Sequence, residues 1–274
     1  MRHRAIVIGM ALVVLVCVSA LAVAQSAEEW VSKGDDYFEA GNYEKAIECY
    51  TKAIELDPEF AEAYNNRGYA YNELSRYDDA IADLNKAIEL DPRYANACSN
   101  RGWAYNAIGW YNEAIDDLDK AIELDPELAP AYNNRGCAYC GLGRYNEAIV
   151  DFNKAIELDP GLAMVYTNRG GSFGFLGRYE EAIADYNKAI ELDPGLVIAY
   201  NSRGRIYSEL GRYDEAIADF NKAIELEPGF ALAYINRGVS YYLLGETEKA
   251  IADLKTACDM GEDEACDALA ELGE

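Results

Sequence analysis

The sequence predicts an all-α fold, an α-solenoid of seven tandem helix–turn–helix repeats. Three observations carry that expectation. A proline phase recurs every 34 residues, glycine and alanine fill columns at fixed places in each unit, and apolar side chains between them follow helical spacing.

The first 24 residues stand apart from the repeat. Arg2, His3 and Arg4 form a basic head, followed by an apolar stretch from Ala5 to Ala24. Ala22-Val23-Ala24 places small residues where a signal peptidase reads, ahead of Gln25, which is the layout of a secretory signal peptide over 1–24. The stretch is also almost long enough to cross a bilayer as an uncleaved anchor. A lipoprotein reading would acylate Cys17, although the preceding Val16 is bulkier than that chemistry favours. All three readings place the chain outside the cytoplasm, as a secreted, periplasmic or cell-surface protein.

Six of the seven prolines share one phase: Pro58, Pro92, Pro126, Pro160, Pro194 and Pro228. Counting units as 27–60, 61–94, 95–128, 129–162, 163–196, 197–230 and 231–260, glycine holds the eighth position from Gly34 to Gly238. Alanine holds the twentieth, from Ala46 to Ala250, and the twenty-seventh, from Ala53 to Ala257. Within the second unit Tyr64, Gly68 and Tyr71 lie at i, i+4, i+7, the stripe of a first amphipathic helix, and Ala80, Ile81, Leu84, Ala87 and Ile88 make a second. The turn between them reads Leu74-Ser75-Arg76-Tyr77, and in three other units Leu-Gly-Arg-Tyr, with glycine free to take the left-handed conformation that ends a helix. The closing Asp-Pro stops the second helix, because proline disfavours helical geometry in the residue before it. A glycine inside a helix costs ~1 kcal/mol in propensity, so close approach of helix backbones is the expected compensation.

This pattern resembles the tetratricopeptide repeat family, with Trp30 or Tyr64 at the fourth position, glycine at the eighth, tyrosine at the eleventh, alanine at the twentieth and twenty-seventh and proline at the thirty-second. The resemblance covers residues 27 to about 258. It implies a right-handed superhelix whose first helices line a concave face. No unit buries its apolar face alone, so stability comes from stacking. The seventh unit replaces Asp-Pro by Cys258-Asp259-Met260-Gly261, and residues 261–274 read as a short capping helix with an acidic outer face.

Two further columns are charged. Arginine fills the seventh position (Arg67, Arg101, Arg135, Arg169, Arg203, Arg237) and aspartate the twenty-third (Asp83, Asp117, Asp151, Asp185, Asp219, Asp253). The first unit departs at both places, with Lys33 and Cys49, which points to an ion pair between the helices of each unit rather than an arginine ladder offered to a ligand.

The sixth position holds Asn66, Asn100, Asn134, Asn168 and Asn236, with Ser32 and Ser202 in the other units. In the family this phase faces the groove, and the column looks like the asparagine ladder of the O-linked N-acetylglucosamine transferase superhelix, which grips peptide backbone. An amide offers donor and acceptor together, so such a ladder can hold an extended chain without reading its side chains. The alternative is that asparagine solvates the groove wall. Groove-facing side chains for selectivity are Tyr69, Trp103, Phe175, Arg205 and Tyr242, each open to a packing role, with Trp103 the best single anchor. A groove role predicts that Asn100→Ala with Asn134→Ala weakens capture of a partner while thermal stability stays almost unchanged. The family's chaperone-tail clamp needs lysines at the fifth and second positions. Asn65, Ser99, Asn133 and Thr167, with Glu62, Asn96, Pro130 and Met164, stand there instead.

Cys258 and Cys266 have a spacing similar to that of Sel-like cysteine-rich helical repeats, where a disulfide ties adjacent helices; two buried thiols are the alternative. Cys137 and Cys140 have CxxC spacing but fall mid-helix. Thiol activation needs a helix N-terminus and zinc needs four ligands, so a redox or metal module is a remote reading.

Charge narrows the partners. Loss of the leader would leave 22 of the 24 basic side chains against 49 acidic ones, near −27, without the single histidine. Such a surface repels phosphate backbones and anionic lipid heads and attracts basic polypeptides; it also keeps a long rod soluble. Nucleic acid is therefore not an expected partner, and membrane contact falls to an uncleaved leader. No nucleophile–base pair, phosphate loop or metal cluster stands out, and the commonest general base is missing, so neither catalysis nor a cofactor nor a metal is expected. The expected function is a scaffold that binds a protein or an extended peptide in its groove. The alternative is a membrane-tethered assembly subunit that works through its convex face or ends.

Overall fold

A computed structural model describes residues 25–271. The leader expected over 1–24, with Cys17, and residues 272–274 of the expected cap lie outside the described residues.

The described residues hold fifteen α-helices and no strand. In chain order α1 (Ala27–Glu39) pairs with α2 (Tyr43–Leu56) and α3 (Ala61–Glu73) with α4 (Tyr77–Leu90), followed by α5 (Ala95–Ala107) and α6 (Tyr111–Leu124). Then follow α7 (Ala129–Gly141) with α8 (Tyr145–Leu158), α9 (Ala163–Phe175) with α10 (Tyr179–Leu192), α11 (Val197–Glu209) with α12 (Tyr213–Leu226), and α13 (Ala231–Leu243) with α14 (Thr247–Asp259). A last helix, α15 (Asp263–Glu271), packs on α14. The described residues up to Ala104 form one compact unit and those from Tyr105 a second. Inside the first, α1 touches α3 as well as α2; inside the second, α7, α9 and α11 each touch the next first helix.

The columns now have physical causes. A Cβ added to Gly136 would sit 2.5 Å from the Phe152 ring, and one on Gly34 would sit 2.4 Å from the Tyr50 ring. Glycine at the eighth position is thus the space that a bulky side chain at the twenty-fourth fills, and that burial offsets its poor helix propensity. The twentieth-position alanines, Ala80 and Ala148 among them, have no accessible surface, because helices cross there at backbone distance.

Each hairpin turn closes in the same way. Gly143 takes φ +72°, its N–H bonds to the Cys140 carbonyl and the Arg144 N–H to the Tyr139 carbonyl, which satisfies the carbonyls left over at the end of α7. Ser75 does this at φ +58° without being glycine. Aspartate before proline has a second use. Asp57, Asp91, Asp125, Asp159 and Asp193 each cap a second helix in extended backbone, and each Oδ1 accepts from the N–H two residues on, at 2.8–3.0 Å.

At the C-terminal end Cys258 and Cys266 are joined by a disulfide, Cα to Cα 4.9 Å, which ties α14 to α15. No helix among the described residues is long and apolar enough to cross a membrane.

Candidate functional site

The arginine column is structural. Arg135 donates from Nε and Nη2 to the two carboxylate oxygens of Asp151 at 2.8 and 2.7 Å, and Arg67, Arg169, Arg203 and Arg237 form the same fork with Asp83, Asp185, Asp219 and Asp253. The third nitrogen reaches back to the second helix of the preceding repeat, as from Arg67 to Thr51 at 2.9 Å and from Arg169 to Asn153 at 2.6 Å. One guanidinium therefore joins three helices. In the first repeat Cys49 is buried where the aspartate would stand, and Lys33 turns onto the Trp30 ring at 4.8 Å.

The asparagine column is half-buried and already partly engaged. Asn100 donates from Nδ2 to Asn65 Oδ1 at 3.0 Å, Asn168 to Asn133 at 3.0 Å and Asn236 to Asn201 at 2.9 Å, each across consecutive first helices. Asn66 donates to Asp35 at 3.1 Å, and Asn134 accepts from Asn133 at 3.4 Å. Asn168 directs its amide nitrogen at both Asn133 and Cys137 Sγ, at 3.0 and 3.5 Å, so its capacity for a guest is the carbonyl oxygen; every rung except Asn134 is also a tie between repeats. The near-constant stability expected of asparagine-to-alanine changes does not follow from this geometry.

A second set of ties runs through the twelfth position. Asn72 Nδ2 bonds to the Asn100 carbonyl at 2.9 Å, Asn106 to the Asn134 carbonyl at 2.7 Å, Cys140 to Ser172 at 3.1 Å and Ser208 to Ser240 at 2.7 Å. Between repeats five and six both sets lapse. Gly174 stands at the twelfth position, Ser202 replaces asparagine at the sixth, and its hydroxyl is taken by Tyr186.

A cleft of about 510 Å³ opens at that place on the first-helix face of the second unit. Gly171 and Gly174 lie one helical turn apart on α9; a Cβ on Gly171 would meet only the Tyr186 hydroxyl, at 3.8 Å, whereas Ile206 already closes on Gly174, 2.9 Å from where its Cβ would sit. The thiols of Cys137 and Cys140 on α7 form one wall, and Ile198, Ser202, Arg205 and Glu209 on α11 the other. Asn168 is also in the lining. Phe175 sits at the mouth, 68% exposed, stacked on Tyr145 at 4.8 Å with the rings nearly parallel.

Burial keeps the titratable groups of this cleft in their neutral forms. Burial pushes the Cys137 thiol up to about 12 and raises Cys140 as well, so neither is a ready nucleophile or metal ligand near neutral pH. Burial likewise lifts the Tyr186 phenol to about 12. Among the described residues no group of three or more His, Cys, Asp or Glu gathers to hold a metal ion.

The first unit carries a different feature. Phe38 stacks on Tyr69 at 4.8 Å and Tyr69 meets Trp103 edge-on at 5.7 Å, a row of rings along consecutive first helices. Tyr69 is 37% exposed and Trp103 half-buried, so part of each is committed to packing. Tyr242, on α13, is exposed. The structure thus brings Asn168, Phe175 and Arg205 to one cleft and sets Tyr69 and Trp103 in an aromatic row. The floor glycines, the two thiols and Phe38 were not singled out as contacts by the sequence. The ninth and twelfth positions vary from repeat to repeat, and the one signal available was that the fifth repeat has glycine at both, Gly171 and Gly174.

Comparison with known proteins agrees with this architecture. A family model described as TPR repeat matches residues 34–75, 102–143, 176–211 and 204–245, and models described as tetratricopeptide repeat match 61–94, 129–162 and 231–263. No curated protein matches the sequence. Among solved structures, a tetratricopeptide repeat protein from Parabacteroides merdae is 25% identical, with a TM-score of 0.67 over 90% of this chain and 98% of that one. MamA is 32% identical over 64% of this chain and 95% of its own, at 0.51. YrrB, described as a TPR protein with an unusual peptide-binding site, is 28% identical over 68% and 96%, at 0.50.

Proposed function

The chain belongs to the tetratricopeptide repeat family, and from that premise we propose that it works outside the cytoplasm, holding an extended segment of a partner protein against its first helices. Its fold is that of a protein–protein interaction scaffold. The observation that carries the finer reading is the cleft floored by Gly171 and Gly174, which supplies a concave, part-apolar recess beside an amide of the ladder, Asn168. A peptide laid there can bond the remaining capacity of the amides and set a side chain into the recess. The likeness to YrrB, whose description names a peptide-binding site, supports the same reading. The overall charge of −25 favours partners that are basic as a whole.

Photocrosslinking in the full chain tests the face. A benzophenone amino acid at Phe175 is expected to trap a partner in the native cell, and the same probe at Val150, 65% exposed on α8, is not. Trapping at Val150 alone would overturn the groove reading in favour of contacts through the second helices. Export is tested by sequencing the mature N-terminus, expected to begin at Gln25; a cytoplasmic protein retaining Met1 would refute it.

A further inference from the structure

The charge pattern around the cleft narrows what enters it. On α7, α9, α11 and α13 the charged side chains are Arg135, Arg169, Arg203, Arg205, Glu209 and Arg237. Four of these arginines are forked onto aspartates. Arg205 is not: it is exposed, lines the cleft, and forms no ion pair among the described residues, even with Glu209 one turn on. In a chain of net charge −25, an uncompensated guanidinium at the mouth of a part-apolar recess is a selective feature. It favours a carboxylate with two parallel hydrogen bonds, while Glu209 repels a second one.

We propose that the cleft receives one bulky apolar side chain of an extended partner segment and that Arg205 binds a carboxylate on the same segment, so that the ligand is a peptide with an apolar residue near a single acidic one. This rests on the groove reading above and adds its chemistry. The recess is apolar at its base, where Ile206 and Phe152 lie under Gly174 and beside the thiols. In an extended chain side chains two residues apart share a face, so the apolar and acidic residues stand at i and i+2. The absent ties between repeats five and six explain why the guest fits there. At four other seams a side chain at the twelfth position hydrogen-bonds to the next first helix, and at the first seam Phe38 crosses to stack on Tyr69.

The probe is a labelled twelve-residue Gly/Ser peptide with one leucine and one glutamate two positions apart, titrated into the full chain by anisotropy. It is expected to bind about tenfold more tightly than the same peptide with glutamine for glutamate, the worth of a charge-assisted contact. Arg205→Gln should abolish that preference with an unchanged melting curve. Gly171→Trp should abolish binding of both peptides, and Trp103 at the same position of repeat three shows that the helix accepts the residue. Bound peptide should also slow alkylation of Cys140. Equal binding of the two peptides, or a preference that survives Arg205→Gln, overturns the proposal. If that happens while crosslinking at Phe175 still traps a partner, the groove reading stands and only its chemistry falls.

Discussion

Arg135 and Asp151 meet in a two-bond fork between the helices of the fourth repeat, and the aspartate is 4% exposed. Removing the arginine strands a buried carboxylate and also releases the contact to Asp119 on the preceding repeat. Arg135→Ala is expected to cost about 3 kcal/mol, because breaking one side of a buried pair leaves the other uncompensated. Arg135→Leu with Asp151→Leu should cost clearly less than the single change. Denaturant melts of the three proteins decide this; equal losses would show that the fork is not what the aspartate depends on.

Asn168 tests the double use of the ladder. Its amide donates to Asn133 at 3.0 Å and reaches Cys137 Sγ at 3.5 Å, while also lining the cleft. Asn168→Ala should lower stability by about 1 kcal/mol, the usual net worth of one hydrogen bond, and weaken partner capture as well. Thermal unfolding and crosslinking at Phe175 are the two readouts. Reduced capture at unchanged stability would mean that the bond to Asn133 contributes nothing.

The hairpin period was legible because each of its constraints admits few residues. Close approach at Gly136 excludes a side chain, and the stop at Asp159-Pro160 needs a proline and a short acceptor. The Arg–Asp fork was legible because Lys33 and Cys49 depart together. The ties between asparagines were not. Asn168 and Asn133 lie 35 residues apart and meet only through the stacking of two repeats, which a column of identical residues does not encode. The cleft was not legible either, since it opens where Gly171 carries no side chain, and a repeat pattern draws attention to what recurs. Phe38 escaped because it enters the aromatic row from the twelfth position while Tyr69 and Trp103 enter from the ninth.

Ser75 occupies the left-handed turn position that glycine fills at Gly41, Gly109, Gly143, Gly177, Gly211 and Gly245. Its φ of +58° is strained for a residue with a Cβ, at a cost of about 1 kcal/mol. Ser75→Gly is therefore expected to raise the melting temperature, less the greater chain entropy that glycine brings to the unfolded state. Loss of the Ser75 hydroxyl also removes a 3.2 Å contact from Tyr77, which is exposed and worth little. A lower melting temperature would place that contact above the strain.

Alkaline pH should loosen the second unit through Cys137 and Tyr186. Burial raises the thiol from 9.0 and the phenol from 10.0, each to about 12, so the fold favours their neutral forms. The sign follows from linkage. Below pH 9 both groups are protonated in folded and unfolded chains alike, and stability is intact. Between pH 9 and 12 the unfolded chain loses protons that the folded one retains, so stability falls as pH rises through that window. Melting temperatures measured from pH 8 to 11 should drop faster for the wild type than for Cys137→Ala or Tyr186→Phe, whose slopes lack one titration each. Parallel slopes in all three proteins would show that neither group is withheld from ionisation by the fold, and that the floor of the cleft is wetter than its packing against Ile206 and Phe152 implies.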